Sequence, residues 1–184
     1  MAHGNFDLQG KVAIVTGATR GIGQGIALGL AQAGAHIVCV GRSDDTVTRA
    51  GVGQLGRKYL NIRADMAQKE SPDMIVRQTL EAFGRIDILV NAAGITRRAM
   101  AIDVTEEDWQ DVLDVNLTAV FFMCQRVARQ FIKQGGGGKI INIGSMTSYQ
   151  GGIKVIPYTA SKAAVRMITM HMCMNGHSTG YISM

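Results

Sequence analysis

Tyr158 and Lys162 stand at i and i+4. On a helix that spacing puts both side chains on one face. An ammonium beside a phenol favours the phenolate, so such a tyrosine can exchange a proton nearer neutrality than its free pKa of about 10 allows. Upstream, Ser145 follows the apolar run Ile140–Ile141–Asn142–Ile143, which predicts a buried strand. A hydroxyl just past that strand end can hydrogen-bond a substrate oxygen. Together the three residues describe a proton-transfer site for carbonyl and alcohol chemistry. A Tyr and a Lys at this spacing also occur by chance in many helices, so the assignment depends on what the rest of the chain brings to them.

The N-terminal part is built to bring a hydride donor. Val12–Val15 is a short β-branched run suited to a buried parallel strand. Thr16-Gly17-Ala18-Thr19-Arg20-Gly21-Ile22-Gly23 follows. Next come a helical pattern with Ile26, Leu28, Leu30 and Ala31, a closing Gly34, and a second strand, His36–Val40. Strand, glycine loop, helix and strand open a dinucleotide-binding unit. Gly17 permits the tight turn, while Gly21 and Gly23 let backbone approach a pyrophosphate and the helix behind it. The helix N-terminus offers N–H groups and partial positive charge to the phosphates. The spacing is Gly-x3-Gly-x-Gly, and a βα turn without a ligand is the plain alternative.

Cofactor choice is set at the end of the second strand, where an acid binds ribose hydroxyls and an arginine pairs with a 2′-phosphate. Arg42, with Arg20 in the glycine loop, leans towards NADP; Asp44 keeps NAD open. A helix is expected over 44–58, weakened by Gly51, Gly53 and Gly56. A third strand, Tyr59–Ile62, leads to Asp65 and Met66, placed to meet an adenine amino group or to cap the next helix. That helix starts at Ser71-Pro72 and runs to Phe83. The fourth strand, Ile86–Val90, ends in Asn91-Ala92-Ala93-Gly94, small residues that let backbone lie against a cofactor. Thr96-Arg97-Arg98 follows, on the side where open α/β sheets bind ligands, and its arginines can face a substrate carboxylate or simply be surface charges. Thr105-Glu106-Glu107-Asp108 starts a long capped helix reaching Ile132. Asn116 inside it is mildly unfavourable and needs a reason: a water bridged to Lys162, or a kink. The Gly135–Gly138 turn leads into the fifth strand.

With 184 residues, 47% hydrophobic and 18% charged, the chain reads as one globular domain and not a disordered one. The net charge of +5 and pI of about 9.3 come from scattered Lys and Arg, without the basic run that nucleic acid requires. Cys39, Cys124 and Cys173 lack CxxC spacing and read as reduced thiols of a cytoplasmic protein. The N-terminus, with His3 and Asp7, shows no signal-peptide core, and Leu117–Cys124 is too short to span a bilayer. His171, Cys173 and His177 have no framework to hold a metal, so none is expected.

Thr16–Gly23, Asn91–Gly94, Asn116, Ser145, Tyr158 and Lys162, in this order and spacing, resemble the classical short-chain dehydrogenase/reductase family over about Leu8 to Met170. Gly94–Arg98, Gly137–Ile143 and Ser148–Gly152 look most like its sugar-acid branch, which contains 2-deoxy-D-gluconate 3-dehydrogenases and 2-dehydro-3-deoxy-D-gluconate 5-dehydrogenases. The resemblance implies a Rossmann-like, doubly wound parallel sheet in three α/β/α layers. It implies NAD or NADP bound by Gly17, Thr19, Arg20, Gly21, Ile22, Gly23, Arg42, Asp65, Met66, Asn91, Ala92, Gly94, Tyr158 and Lys162. Tyr158 would be the general acid/base, Lys162 its partner and the holder of the nicotinamide ribose, Ser145 the orienter of the substrate C–O, and Asn116 the anchor of a relay water. Arg97 and Gln150 would join Ser145 and Tyr158 in holding the substrate.

Three departures matter. Asn91-Ala92 stands where the family usually has two asparagines, and Gly144 where the branch tends to have Ala. Members run to about 250 residues; here the pattern ends near Thr169, and an atypical methionine-rich tail follows from about 170. The expectation is a chain lacking the last strands and the substrate lid, with the fifth strand left as an exposed edge. Three readings follow: an NAD(P)-dependent dehydrogenase for a small-molecule sugar acid, an inactive remnant that at most binds the dinucleotide, and a partner subunit of a full-length relative. A homo-oligomer pairing through helices at 107–134 and 158–170 is implied by resemblance.

Overall fold

The structure, a computed structural model, describes residues 6–179 and 182–183, with side chains to residue 174. His3 and the His177 side chain lie outside the described residues. Six parallel strands form one sheet in the order β3-β2-β1-β4-β5-β6. They are β1 (Val12–Thr16), β2 (His36–Gly41), β3 (Tyr59–Arg63), β4 (Ile88–Asn91), β5 (Gly138–Asn142) and β6 (Ile182–Ser183). The helices are α1 (Gly21–Gln32), α2 (Thr46–Gln54), α3 (Ser71–Phe83), α4 (Glu106–Leu113), α5 (Ala119–Gln134) and α6 (Ile156–Thr179).

Every residue of β1 is buried because helices cover both faces of the sheet. The two-residue side-chain alternation of a strand divides the core into two halves. Val12 and Ile14 join Val38, Val40 and Leu89 under Ile75 of α3, Met123, Val127 and Phe131 of α5, and Val165 of α6. Ala13 and Val15 join Ile37, Cys39 and Val90 under Ala27 and Ala31 of α1 and Val52 of α2. The expected three-layer doubly wound sheet is therefore present. Strand order reverses between β1 and β4, and that reversal opens a crevice at the carboxyl ends of the strands.

Several boundaries differ from expectation. Ile86 and Asp87 precede β4 instead of starting it. The Asp87 carboxylate accepts from the Val12 N–H (2.9 Å) and from Arg85 (2.8 and 2.5 Å), so this stretch braces the start of β1. Burial pushes the Asp87 carboxyl up, but those bonds outweigh it and hold it below the usual carboxylate range. The expected 44–58 helix shrinks to α2. The long helix beginning near Thr105 is one rod from Glu106 to Gln134, widened into a π turn at Asp114–Thr118, with Asn116 at its centre. Beyond residue 170, α6 continues to Thr179, and Met172 packs against the core. The edge of β5 is partly covered, since β6 pairs with Gly138 and Lys139. Among the described residues no helix is long and apolar enough to cross a membrane.

Candidate active site

The crevice holds two adjoining clefts that share Ile22, Ala92, Gly94 and Ile95. The first, about 350 Å³, lies over the glycine turn, and the second, about 500 Å³, lies under Tyr158 and Lys162.

The first cleft is shaped by backbone. Gly17 has φ +70°, and a Cβ there would sit 2.8 Å from Ala93 Cα. A Cβ on Gly23 would strike the Gly17 carbonyl. The turn and the exit of β4 therefore meet main chain to main chain. Thr16 Oγ1 completes the joint by accepting from the Ala92 and Ala93 N–H groups, both at 3.1 Å. Behind the turn, Gln24 donates to the Thr19 carbonyl (3.1 Å) and to Thr48 (3.0 Å), and Thr48 donates to the Ala18 carbonyl (2.9 Å). The α1 N-terminus has no side-chain cap and no acid in its first turn, and Gly21, Ile22 and Gly23 of that turn line the cleft. Thr19, Arg20, Gly21, Arg42, Asp65 and Met66 also line it. Arg42 pairs with Asp65 at 3.0 Å at the cleft's lining, an exposed bridge that costs little to open. Asp44 instead turns to Thr46, accepting from its hydroxyl at 2.7 Å, and does not line the cleft.

The second cleft contains the chemistry-bearing pair. Tyr158 and Lys162, one turn apart on α6, both line it, and Lys162 Nζ lies 5.8 Å from the centroid of the phenol ring. Lys162 is 5% exposed and donates to the Ile143 carbonyl at 2.6 Å. Burial lowers its pKa, because a neutral carbonyl does not fully replace water around an ammonium.

Five of the residues read from the sequence sit elsewhere. Asn116 is fully buried behind Gly94. Its Oδ1 accepts from the Ile95 N–H (2.8 Å), and its amide donates to the Ile95 carbonyl (2.9 Å) and to Ser161 Oγ (3.2 Å). Both amide hydrogens are thus consumed, and the side chain ties the Ile95 backbone to Ser161 of α6. Asn91 does not line the first cleft. It is 3% exposed and donates to Asn142 (2.8 Å) and Cys124 Sγ (3.3 Å), because strand alternation turns it into the core. Burial pushes the Cys124 thiol up to about 12. Ser145 caps the 3₁₀ turn Met146–Ser148 and accepts from both the N–H (3.2 Å) and hydroxyl (3.0 Å) of Thr147. Gly144 and Thr147, not Ser145, line the cleft. Arg97 is drawn away by Asp108 (3.1 Å) and Asp111 (3.0 Å) of α4, while its neighbour Arg98 lines the cleft. Gln150 is exposed and outside both linings.

A parallel sheet with a glycine turn at its switch point and a Tyr–Lys pair facing it defines a dinucleotide-dependent oxidoreductase scaffold. The family model for short chain dehydrogenases matches residues 11–184, and the chain belongs to that family. It is 53% identical over 169 residues to a 2-dehydro-3-deoxy-D-gluconate 5-dehydrogenase of Dickeya dadantii, covering 92% of this chain and 67% of that one. Its identity to the enzyme of the same name from Escherichia coli is 50% over 167 residues, covering 91% and 66%. Among solved structures, one assigned as a 2-deoxy-D-gluconate 3-dehydrogenase from Agrobacterium tumefaciens, with NADP bound, superposes with TM-score 0.86 at 40% identity, covering 97% and 70%. The chain spans about two thirds of the length of these relatives.

Proposed function

We propose that the chain binds NAD or NADP and transfers a hydride between it and a secondary alcohol or ketone. The substrate in this reading is a sugar acid such as 2-deoxy-D-gluconate or 2-dehydro-3-deoxy-D-gluconate. The observation that carries the reading is the shared cleft of Tyr158 and Lys162, opening directly onto the Gly17–Gly23 turn. The residues present fit a dinucleotide: bare glycine backbone and an uncapped helix end suit phosphates, and Arg20 and Arg42 suit a 2′-phosphate. When bound, the dinucleotide gives or takes the hydride. Tyr158 receives the alcohol proton or returns it, and the Lys162 ammonium lies beside the ring on which negative charge develops. Both Ser145 lone pairs are occupied by Thr147, so its O–H is left to donate to the substrate oxygen once a substrate draws the turn inward. Asn116 holds Ile95 and Ser161, one on each side of the chemistry. The names of the relatives from Dickeya dadantii and Escherichia coli support the sugar-acid class.

The same reading takes the chain as one cytoplasmic domain whose copies pair through the helices at 107–134 and 158–170. Exposed Phe121, Phe122, Met167 and Met170 give those helices an apolar face. Dinucleotide binding without turnover is the second reading, favoured by the position of Ser145 outside the cleft lining. Calorimetric titration of the purified chain with NAD and NADP, followed by the absorbance of reduced nicotinamide with sugar acids, separates the two. Turnover supports the first reading and binding alone the second; binding of neither dinucleotide sinks both.

A further inference from the structure

We infer that Arg98 selects the substrate: its guanidinium binds the carboxylate of a short polyhydroxy acid held against Tyr158, while Arg97 only braces the segment. The inference rests on the dehydrogenase reading for the orientation of that acid, and on the cleft itself for its charge.

Two cations line the second cleft, Arg98 and Lys162, and no Asp or Glu lines it. Lys162 is committed to the Ile143 carbonyl and sits beside the phenol. Arg97 spends its fork on Asp108 and Asp111. Arg98 is exposed, and no ion pair or side-chain hydrogen bond ties it to another described residue. A guanidinium without a counter-ion, in a cleft without acids, is a standing site for an anion, and its planar fork fits a carboxylate through two parallel hydrogen bonds.

The arginine is also held in place. The Ala99 N–H donates to the Lys154 carbonyl at 3.2 Å, which ties the residue after Arg98 to the loop that leads into α6. Lys154 adopts φ +60°, a left-handed conformation rare for a non-glycine side chain. On the other side, Asn116 clamps Ile95 through both its N–H and its carbonyl. The segment bearing Arg98 is thus pinned relative to the helix bearing Tyr158. Thr96 and Thr147 also line the cleft, polar residues suited to a hydroxylated chain, and a volume of about 500 Å³ holds a small acid.

The test uses the full chain saturated with NADP, with D-gluconate and its neutral counterpart D-glucitol as probes in equilibrium binding, so that no turnover is needed. Wild type is expected to prefer gluconate. Arg98→Ala and the shape-keeping Arg98→Met should each weaken gluconate roughly 10- to 100-fold, the range for a charge-assisted pair, and leave glucitol unchanged. Arg97→Ala should keep the preference. Equal binding of the two probes by wild type, unchanged gluconate binding in the Arg98 variants, or a loss shared equally by glucitol would overturn the assignment. Gluconate bound through Arg98 without turnover of any sugar acid would count against the dehydrogenase reading and leave the anion site standing.

Discussion

Replacing Asn116 with alanine removes three hydrogen bonds made by a residue with no solvent exposure. Each intramolecular bond contributes a net ~0.5–1.5 kcal/mol. Ile95 is only half-buried, so its freed N–H and carbonyl recover some water. Ser161 is fully buried but keeps its own bond to the Tyr158 carbonyl at 2.7 Å. A loss of roughly 2–4 kcal/mol follows, and the better helix propensity of alanine offsets at most about 0.7 of it. The net loss is then about 1.3–4 kcal/mol, and at 2–4 °C per kcal/mol for a chain of this size Tm should fall by roughly 3–16 °C. The freed groups flank the clefts, so NADP should also stabilise the variant less than wild type. Thermal unfolding followed by circular dichroism, with and without NADP, measures both effects. A variant melting within about 1 °C of wild type, with an undiminished NADP shift, would refute the brace.

Lys162→Met should abolish turnover yet leave the ligand-free chain at least as stable at neutral pH, because it removes a buried charge whose partner is a neutral carbonyl. The folded pKa of Lys162 lies below its unfolded value near 10.4, so its charged form opposes folding at neutral pH. That opposition fades as pH rises through the folded value, and wild type should gain on the variant in urea unfolding above neutrality. Asp87 has the opposite sign: its folded pKa is depressed, so its contribution is present above the unfolded value near 3.9 and is lost as pH falls through the folded one. Asp87→Asn should cost roughly 1–3 kcal/mol near pH 7 and flatten the acid limb of the stability profile; an unchanged limb would count against it.

The layers of the fold were legible because buried parallel strands are continuous apolar runs, and β1 and β2 could be read almost to the residue. Asn116 announced itself as a polar residue inside a helix, although only the π turn shows what it holds. Neighbouring residues were harder. Arg97 and Arg98 are chemically identical and adjacent, and which one faces the cleft is decided by Asp108 and Asp111 on a later helix. The last residue of β4, Asn91, turns into the core by strand alternation, and the Ser145 hydroxyl is engaged by a local turn with Thr147; neither partner is visible in the linear order. The methionines from Met170 onward hid a continuing helix, since methionine is a good helix former and no breaker precedes Thr179 except Gly176.

The central claim is that Tyr158 moves the proton while the glycine-turn cleft supplies the larger part of the dinucleotide site. Tyr158→Phe deletes one oxygen and keeps the ring. Turnover and NADP affinity should be measured on that variant and on wild type in parallel. Turnover should fall by roughly 10²-fold or more, the contribution expected of a positioned acid/base, with NADP affinity within about threefold. Wild-type turnover from the phenylalanine variant would contradict the account.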